Sequence, residues 1–332
     1  MCKSILILIF IGISFSEYRV TPEVVTKVAT TSANWLKLET GARGVGMAGA
    51  MVAAGEGVSA IPYNPASIGF IKGSELYYSK TNYLAGISHA SMAYGTQITP
   101  TDFVALHLFT FNSGLMDVTT EDEPDGTGEQ FDVTGLSLRG TYAKILTDRL
   151  KIGFTVKYIR EAIYTTAMQT FAIDLGTNFD TGIYGIILGM SVSNFGPEVQ
   201  FTGEGLQQEA PDLSVDGSLS KLTEKFPIPM SFRLGIKKDI LNIQDDAFNS
   251  IHKFTVAMDG VNPIDYVVTG NVGLEYSWKE IAYVRSGTHL NHDTASFTLG
   301  AGIKIGNIFV DYAYANYGIL ENTNQFGLRF GF

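Results

Sequence analysis

The stretch "GARGVGMAGA", residues 41–50, places Gly44, Gly46 and Gly49 in the spacing G-x-G-x-x-G. In dinucleotide-binding enzymes this loop follows a buried apolar strand, opens a helix, and precedes an acidic residue about 20 positions later. Here the preceding "TSANWLKLETGAR" is not a buried strand, and the acid Glu56 comes too soon. We therefore expect no nucleotide and no other cofactor.

The remaining candidates for chemistry are weak. His289 and His292 have metal-like spacing, but two histidines beside Asp293 on a polar loop are more typical of solvated side chains. The acidic run "MDVTTEDEPDGTGEQFD" lacks the D-x-D-x-D-G spacing of a calcium loop, which favours a solvated external loop over a calcium site. The chain contains serines as well as His107 and His289, but no sequence motif of a catalytic Ser–His pair is present. We therefore do not expect an enzyme.

Composition excludes one class of partner. The 332 residues include 23 Lys and Arg against 33 Asp and Glu, a net charge of -10, which argues against binding to nucleic acid. Charged residues make up 17% of the chain, below the roughly 25% usual for soluble domains. The single cysteine, Cys2, excludes an intramolecular disulfide.

The N-terminus predicts export. In "MCKSILILIFIGISFS", Lys3 precedes an apolar run from Ile5 to Ile13, and the small residues Ser14 and Ser16 follow it. This run is shorter than the about 20 apolar residues of a transmembrane helix, and the pattern is that of a secretory signal peptide. We expect residues 1–16 to be removed.

From about residue 75 onward, apolar and polar residues alternate with period two, which is the signal of half-buried strands. In "KIGFTVKYI", for example, Ile152, Phe154 and Val156 face one way, while Lys151 and Lys157 face the other. Fourteen such segments are visible: 75–84, 87–97, 103–111, 132–145, 150–162, 169–180, 183–193, 228–238, 252–260, 266–278, 281–289, 296–305, 308–316 and 324–332.

These segments favour a membrane barrel over a soluble sandwich. Most exceed the roughly 5–6 residues of soluble strands and match the about 9–11 of barrel strands. Their polar faces are small and charged, as in a wet lumen, and aromatic residues cluster near segment ends. The predicted fold is an all-β transmembrane antiparallel β-barrel of about 14 strands over residues 75–332. An N-terminal segment and a small lumen plug occupy residues 17–74.

The connections predict which end of the barrel faces outward. Those after even-numbered segments are tight and are expected in the periplasm, whereas the long loops near 112–131 and 194–227 are expected outside the cell. The connection near 239–251 is long where a turn is expected, and we interpret it as a short periplasmic helix.

Residues 41–70 are rich in Gly and Ala, too small to fold alone, and fit the lumen of a wide barrel. Asn64 and Pro65 suit the N-cap and first position of a helix. Arg43 would be a buried cation, and such a cation needs a partner. The alternatives are a lumen carboxylate or water inside the barrel. The candidate carboxylates are Asp174, Asp259, Glu275 and Asp311.

The stretch "GARGVGMAGAMVAAGEGVSAIPYNPASIGF" resembles the N-terminal signature of the PorV/PorQ family of outer-membrane proteins, which are related to the long-chain fatty acid transporter (FadL-like) barrels. The resemblance implies a barrel of fourteen strands with an N-terminal plug. Ala50 and Pro65 depart from the pattern of the secretion component, which favours a general family member. The matching positions are Gly41, Ala42, Arg43, Gly46, Met47, Gly49, Ala50, Ala53, Asn64, Pro65 and Ala66.

Two functions are consistent with this barrel. The first is a passive outer-membrane channel for hydrophobic or amphipathic small molecules. The alternative is a scaffold or shuttle in protein secretion of the type IX kind, with secreted proteins as partners. Either protein would contact outer-membrane lipid. Phe332 ends an alternating final strand, "FGLRFGF", and is expected to be the assembly signal for the barrel-insertion machinery.

Overall fold

The computed structural model describes residues 27–209, 218–220, 222–245 and 248–332. The predicted signal peptide lies outside these ranges. The wall consists of strands β1 (Ser74–Asn82), β2 (Ser88–Gln97), β3 (Asp102–Asn112), β4 (Val133–Thr147), β5 (Leu150–Ile163), β6 (Thr166–Asp180), β7 (Ile186–Phe195), β8 (Ser231–Asp245), β9 (Phe248–Pro263), β10 (Thr269–Trp278), β11 (Ala282–Leu290), β12 (Phe297–Ile305), β13 (Ile308–Asn316) and β14 (Asn322–Gly331).

The fourteen strands form a closed antiparallel barrel in sequence order, which confirms the predicted fold. Closure comes from β1 and β14, which pair from Glu75 opposite Gly331 to Asn82 opposite Asn324. A fifteenth strand of two residues, Thr202–Gly203, adds to the edge of β6. Because the wall closes on itself, its backbone groups are paired without any help from the surrounding solvent.

Side chains alternate across this wall as the sequence predicts. On β5, Phe154 and Val156 point outward and are exposed, whereas Thr155 and Lys157 point inward and are buried. The other strands show the same alternation, with exposed apolar side chains on the outer face and buried polar or small side chains on the inner face. Among the described residues, no helix is long and apolar enough to cross a membrane.

The two ends of the barrel differ in their connections. At the lower end, where Phe332 lies, β2 and β3, β4 and β5, and β12 and β13 are joined by short turns. At the upper end, longer segments contain the short strands Met116–Asp117, Gln130–Phe131, Gln207–Glu209 and Ser218–Ser220, and the 3-10 helices Leu84–Gly86, Glu204–Leu206 and Gly318–Leu320.

The predicted helix near 239–251 is wrong. β8 continues to Asp245, β9 begins at Phe248, and the two strands pair with each other; residues 246–247 lie outside the described residues. A bulge between Asp239 and Leu241 shifts the pairing register. This shift interrupts the period-two pattern and explains why the strand was not evident in the sequence.

Residues 27–73, which we call the inner segment, fold within the barrel. They contain the 3-10 helix Asn34–Lys37, the α-helix α1 (Ala42–Gly46), and the 3-10 helices Val58–Ala60 and Pro65–Phe70. Ala42 and Val45 pack on Ala313 and Ala315 of β13, while Asn64 reaches the opposite wall at Thr177 of β6. At this level the lumen is filled by protein, and the expectation of a wet lumen there is wrong.

Candidate functional site

Glycines on the inward face of the wall make room for the inner segment. A Cβ atom added to Gly153 would lie 2.6 Å from the carbonyl oxygen of Pro65, and one on Gly189 would lie 2.6 Å from the carbonyl carbon of Val52. Real Cβ atoms do not approach other atoms so closely, so these positions accept only glycine unless the inner segment moves. The small residues that we interpreted as lining a wet lumen are contact points.

The G-x-G-x-x-G glycines serve the same packing. Gly46 lies against Gly300 of β12, so that a Cβ on Gly46 would be 3.0 Å from the Gly300 Cα. Gly49 adopts φ +72°, a left-handed conformation that only glycine enters without strain. The spacing therefore provides a tight turn and a close approach to the wall, consistent with the exclusion of a nucleotide loop.

Arg43 projects from α1 into a buried ion network. Its Nε and Nη2 each donate to Glu275 at 2.9 Å, and its Nη1 donates to the carbonyl oxygen of Ala54 at 3.2 Å. Arg285 binds the same Glu275 at 2.6 Å and also Asp311 at 2.6 Å. Burial alone would lower the pKa of Arg43, but the Glu275 carboxylate outweighs burial and raises it. Glu275 is thus the partner among the four candidates, and Arg43 remains charged.

Asn64 joins the inner segment to the wall. Its side-chain oxygen accepts from the Ala66 N–H at 3.0 Å, which is the predicted N-cap of the helix that begins at Pro65. Its Nδ2 also donates to the carbonyl oxygens of Val52 at 2.7 Å and Thr177 at 2.9 Å. One buried amide therefore forms hydrogen bonds with the helix end, with a neighbouring turn of the inner segment and with strand β6.

A second ion pair lies on the other side of the inner segment. Lys237 of β8 donates to Glu56 at 2.7 Å, and the Glu56 side chain is 40% exposed. Partial burial alone would raise the pKa of Glu56, but Lys237 and Arg43 together lower it to about 2. The inner segment is thus held by charges at two separate points on the wall.

Residues 28–38, the start of the inner segment, lie across the upper lumen as a strap. Thr31 and Lys37 both bind the Asp265 carboxylate, at 2.8 and 2.7 Å, in the loop between β9 and β10. Trp35 stacks on Phe111 of β3 with ring centroids 6.1 Å apart. The strap is anchored on opposite sides of the barrel.

Two cavities border this strap. One, of about 640 Å³, is lined mainly by apolar side chains that include Trp35, Phe111 and Phe201. The other, of about 500 Å³, begins at upper-end residues such as Leu84 and Leu320 and reaches deeper into the lumen, to Arg139 and Lys157. Both are lined by Asn34 and Leu38 of the strap and by Tyr83, which follows β1, so these residues lie between them. The first cavity is an apolar vestibule, and the second is a deeper pocket beside it.

The deeper pocket combines apolar walls with cations. Leu36 and Leu38 of the strap line one side, while Arg139, Lys157 and Arg233 project from β4, β5 and β8. Lys157 is paired with Asp174 at 2.7 Å, but neither arginine has an ion-pair partner among the described residues.

The Asp174 carboxylate is paired with Lys157, which leaves the two guanidinium groups without a counter-ion among the described residues. Arg139 lies directly opposite Lys157 across the strands, and like charges in that position destabilise a sheet. Arg139 Nη1 and Arg233 Nε are buried and have no hydrogen-bond partner among the described residues. Since buried polar groups are nearly always paired, these two nitrogens lack an acceptor that an anion could supply.

Two acids, Glu39 and Asp293, also line the pocket. Burial raises the pKa of Glu39, against the lowering effects of His289 and Arg233. Its Oε1 lies 3.9 Å from His289 Nε2, while its Oε2 has no partner among the described residues. Neither carboxyl forms an ion pair with Arg139 or Arg233 among the described residues.

The other candidates from the sequence do not form a site. His292 Nδ1 accepts from the Ala295 N–H at 3.0 Å, and the described residues contain no group of three or more possible metal ligands. His107 Nε2 does contact Ser91 Oγ at 2.8 Å, but both side chains are 1% exposed. The other ring nitrogen of His107 has no hydrogen-bond partner in the part of the chain that the structure describes, so this pair lacks the access and the third group that an activated serine needs.

The sequence did not identify Arg139 or Arg285. Each is an arginine at an inward-facing position of an alternating strand, in "LSLRG" and "YVRSG". Their inward position in the alternating pattern is the sequence feature that could have identified them. The alternation in "KIGFTVKYI" places Lys157 on the inward face, but it does not predict that Lys157 meets Arg139 and Arg233.

Solved structures share this architecture. The monoaromatic hydrocarbon channel CymD matches with a TM-score of 0.56 at 13% identity, over 88% of this chain and 97% of its own. The toluene transporter TodX of Pseudomonas putida matches with 0.55 at 11%, over 87% and 96%. A FadL homologue of Pseudomonas aeruginosa matches with 0.54 at 13%, over 88% and 98%. This chain shares their fold.

Sequence comparison adds nothing more specific. No protein-family model and no curated protein sequence matches the chain. The resemblance to the PorV/PorQ family therefore stays a prediction, whereas the likeness to the FadL-like barrels is supported at the level of fold.

Proposed function

We propose that this protein is a bacterial outer-membrane channel for the passive passage of small amphipathic molecules that carry an acidic group. The observation that carries the proposal is the deeper pocket, where apolar strap residues face the unpaired Arg139 and Arg233. The fold shared with hydrocarbon channels and a FadL homologue supports transport, and no comparison favours the secretion role.

The physical argument concerns the two ends of such a ligand. Its apolar part leaves water on entering the vestibule around Trp35, a gain of about 25 cal/mol per Å² of apolar surface. Its acidic group then reaches guanidinium donors, which bind carboxylates and sulfonates through charge-assisted hydrogen bonds. The inner segment fills the barrel below, so onward passage requires that segment to move.

Binding of two probes tests the proposal. Naphthalene-2-sulfonate and 2-naphthol share a ring system and differ in charge, and equilibrium dialysis measures their binding to the purified barrel. We expect the double substitution Arg139→Met and Arg233→Met to weaken sulfonate binding at least about tenfold, since a hydrogen bond to a charged group contributes roughly 1.5–3 kcal/mol. Binding of 2-naphthol should change little. Equal binding of the sulfonate to parent and variant would refute the role of the arginines.

A further inference from the structure

A groove of about 360 Å³ lies on the outer face of the barrel, near the upper end of β1 to β5. One register row crosses it. Lys80 is opposite Ala90, Ala90 opposite Thr110, Thr110 opposite Leu136, and Leu136 opposite Arg160. Four interstrand spacings of about 4.8 Å put the two cations roughly 19 Å apart along the wall. The floor between them is built mostly from small side chains.

This row marks a boundary on the outer face. The next row towards the lower end is large and apolar, whereas the next row towards the upper end is small and polar. The apolar row consists of Tyr78, Met92, Leu108, Leu138 and Tyr158, and the polar row contains Asn82, Ser88, Asn112 and Thr134. A lipid at this site would meet apolar side chains along its acyl chains and polar ones at its head group.

In the upper half of the outer face, the described cations lie in the groove. Among the described outward positions in the upper half of the strands, Lys80 and Arg160 are the cations, and neither forms an ion pair with a described residue. The outward cations Lys144 and Lys238 lie near the lower end. The carboxylate of Asp132, beyond the upper end of the groove, accepts a hydrogen bond from Asn112 at 2.6 Å.

We propose that this groove binds a lipid of the surrounding leaflet that carries two phosphate groups, one at Lys80 and one at Arg160. The separation of the cations, with the long side chains able to lean inward over the small floor, suits two anionic groups on one head group better than a single phosphate. The inference rests on the proposed membrane location. The proposed lipid site lies on the outer wall and not in the lumen, so its test is independent of the test for transport.

Native mass spectrometry of the purified barrel tests this site, with a bisphosphorylated diglucosamine lipid as the probe and phosphatidylcholine as the reference. Each cation near an anionic lipid surface contributes about 1 kcal/mol, equivalent to roughly a fivefold change in affinity. The double substitution Lys80→Gln and Arg160→Gln should therefore weaken binding of the bisphosphorylated lipid by roughly thirtyfold. The matched control Lys238→Gln removes an outward cation at the lower end and should leave binding unchanged.

A second variant keeps the charges and fills the groove. Ala90→Phe places a large side chain on the lipid-facing floor, where the barrel should tolerate it, and should weaken binding of the bisphosphorylated lipid to a similar extent. Inorganic phosphate should not displace the bound lipid, because it lacks the acyl chains. Equal losses in the Lys238→Gln control, unchanged binding in both groove variants, or displacement by inorganic phosphate would each overturn the proposal. None of these outcomes depends on binding in the lumen, so the channel hypothesis is judged separately.

Discussion

Removing the Arg43 side chain should release the inner segment without unfolding the barrel. Arg43→Ala deletes two hydrogen bonds to Glu275 and one to Ala54. Breaking a buried pair typically costs about 3–5 kcal/mol, because the remaining charge is uncompensated. Here Arg285 stays bound to Glu275 at 2.6 Å, so that penalty is only partly felt. We expect a loss of about 2 kcal/mol, or roughly a thirtyfold shift towards the released state.

Planar bilayer recordings measure this shift directly, as the fraction of time that single barrels conduct. The Arg43→Ala variant should open far more often than the parent. Lys144→Ala is the matched control, since it removes an ion pair with Asp102 at the lower rim, where Lys144 is 42% exposed. That control should behave like the parent. If neither Arg43→Ala nor deletion of residues 41–70 changes conductance, the inner segment does not obstruct the barrel and the reasoning fails.

Four further predictions follow from the same contacts and connections. Asn64→Ala removes a cap and two buried donors and should increase bilayer opening over the parent. Gly153→Ala should also increase opening by displacing Pro65–Ala66, whereas Gly140→Ala, which meets nothing within 4 Å, should not. Deleting Phe332 should lower the yield of folded, heat-modifiable barrel, and an unchanged yield would remove its assembly role. A tag inserted after Asp125 should be labelled on intact cells and one in the β4–β5 turn should not, while the reverse pattern would invert the topology.

The strands of the wall could be predicted because the pattern that identifies a strand lies within a short stretch of sequence. Alternation with period two requires only neighbouring residues, and it found all fourteen strands to within a few residues at most ends. The failure at 239–251 has the same cause, since the bulge after Asp239 breaks the period where the chain remains a strand. Local pattern identifies a strand only where its pairing is regular.

The candidate site could be predicted only in part. Its residues are distant in sequence and come together only when the strands close into a barrel. Arg43 drew attention as a lone cation in a Gly- and Ala-rich segment, but choosing Glu275 among four carboxylates requires the register of β10. Arg139 and Arg233 are far apart in sequence and face a common pocket only once β4 and β8 close into one barrel. The glycines of the wall are likewise explained only by their contacts with the inner segment, which is distant from them in the sequence.

The central claim is that the inner segment must move to let ligands pass, and a reversible lock tests it most directly. The Ala42 Cβ and a Cβ placed on Gly327 of β14 are 3.5 Å apart, within the range for a disulfide. The natural Cys2 lies in the predicted signal peptide, so Ala42→Cys with Gly327→Cys would supply the sole pair in the mature chain. Release of naphthalene-2-sulfonate from proteoliposomes should fall when this pair is oxidised and return to the parental rate on reduction. Equal release from the oxidised and reduced protein, with the disulfide verified, would contradict the account.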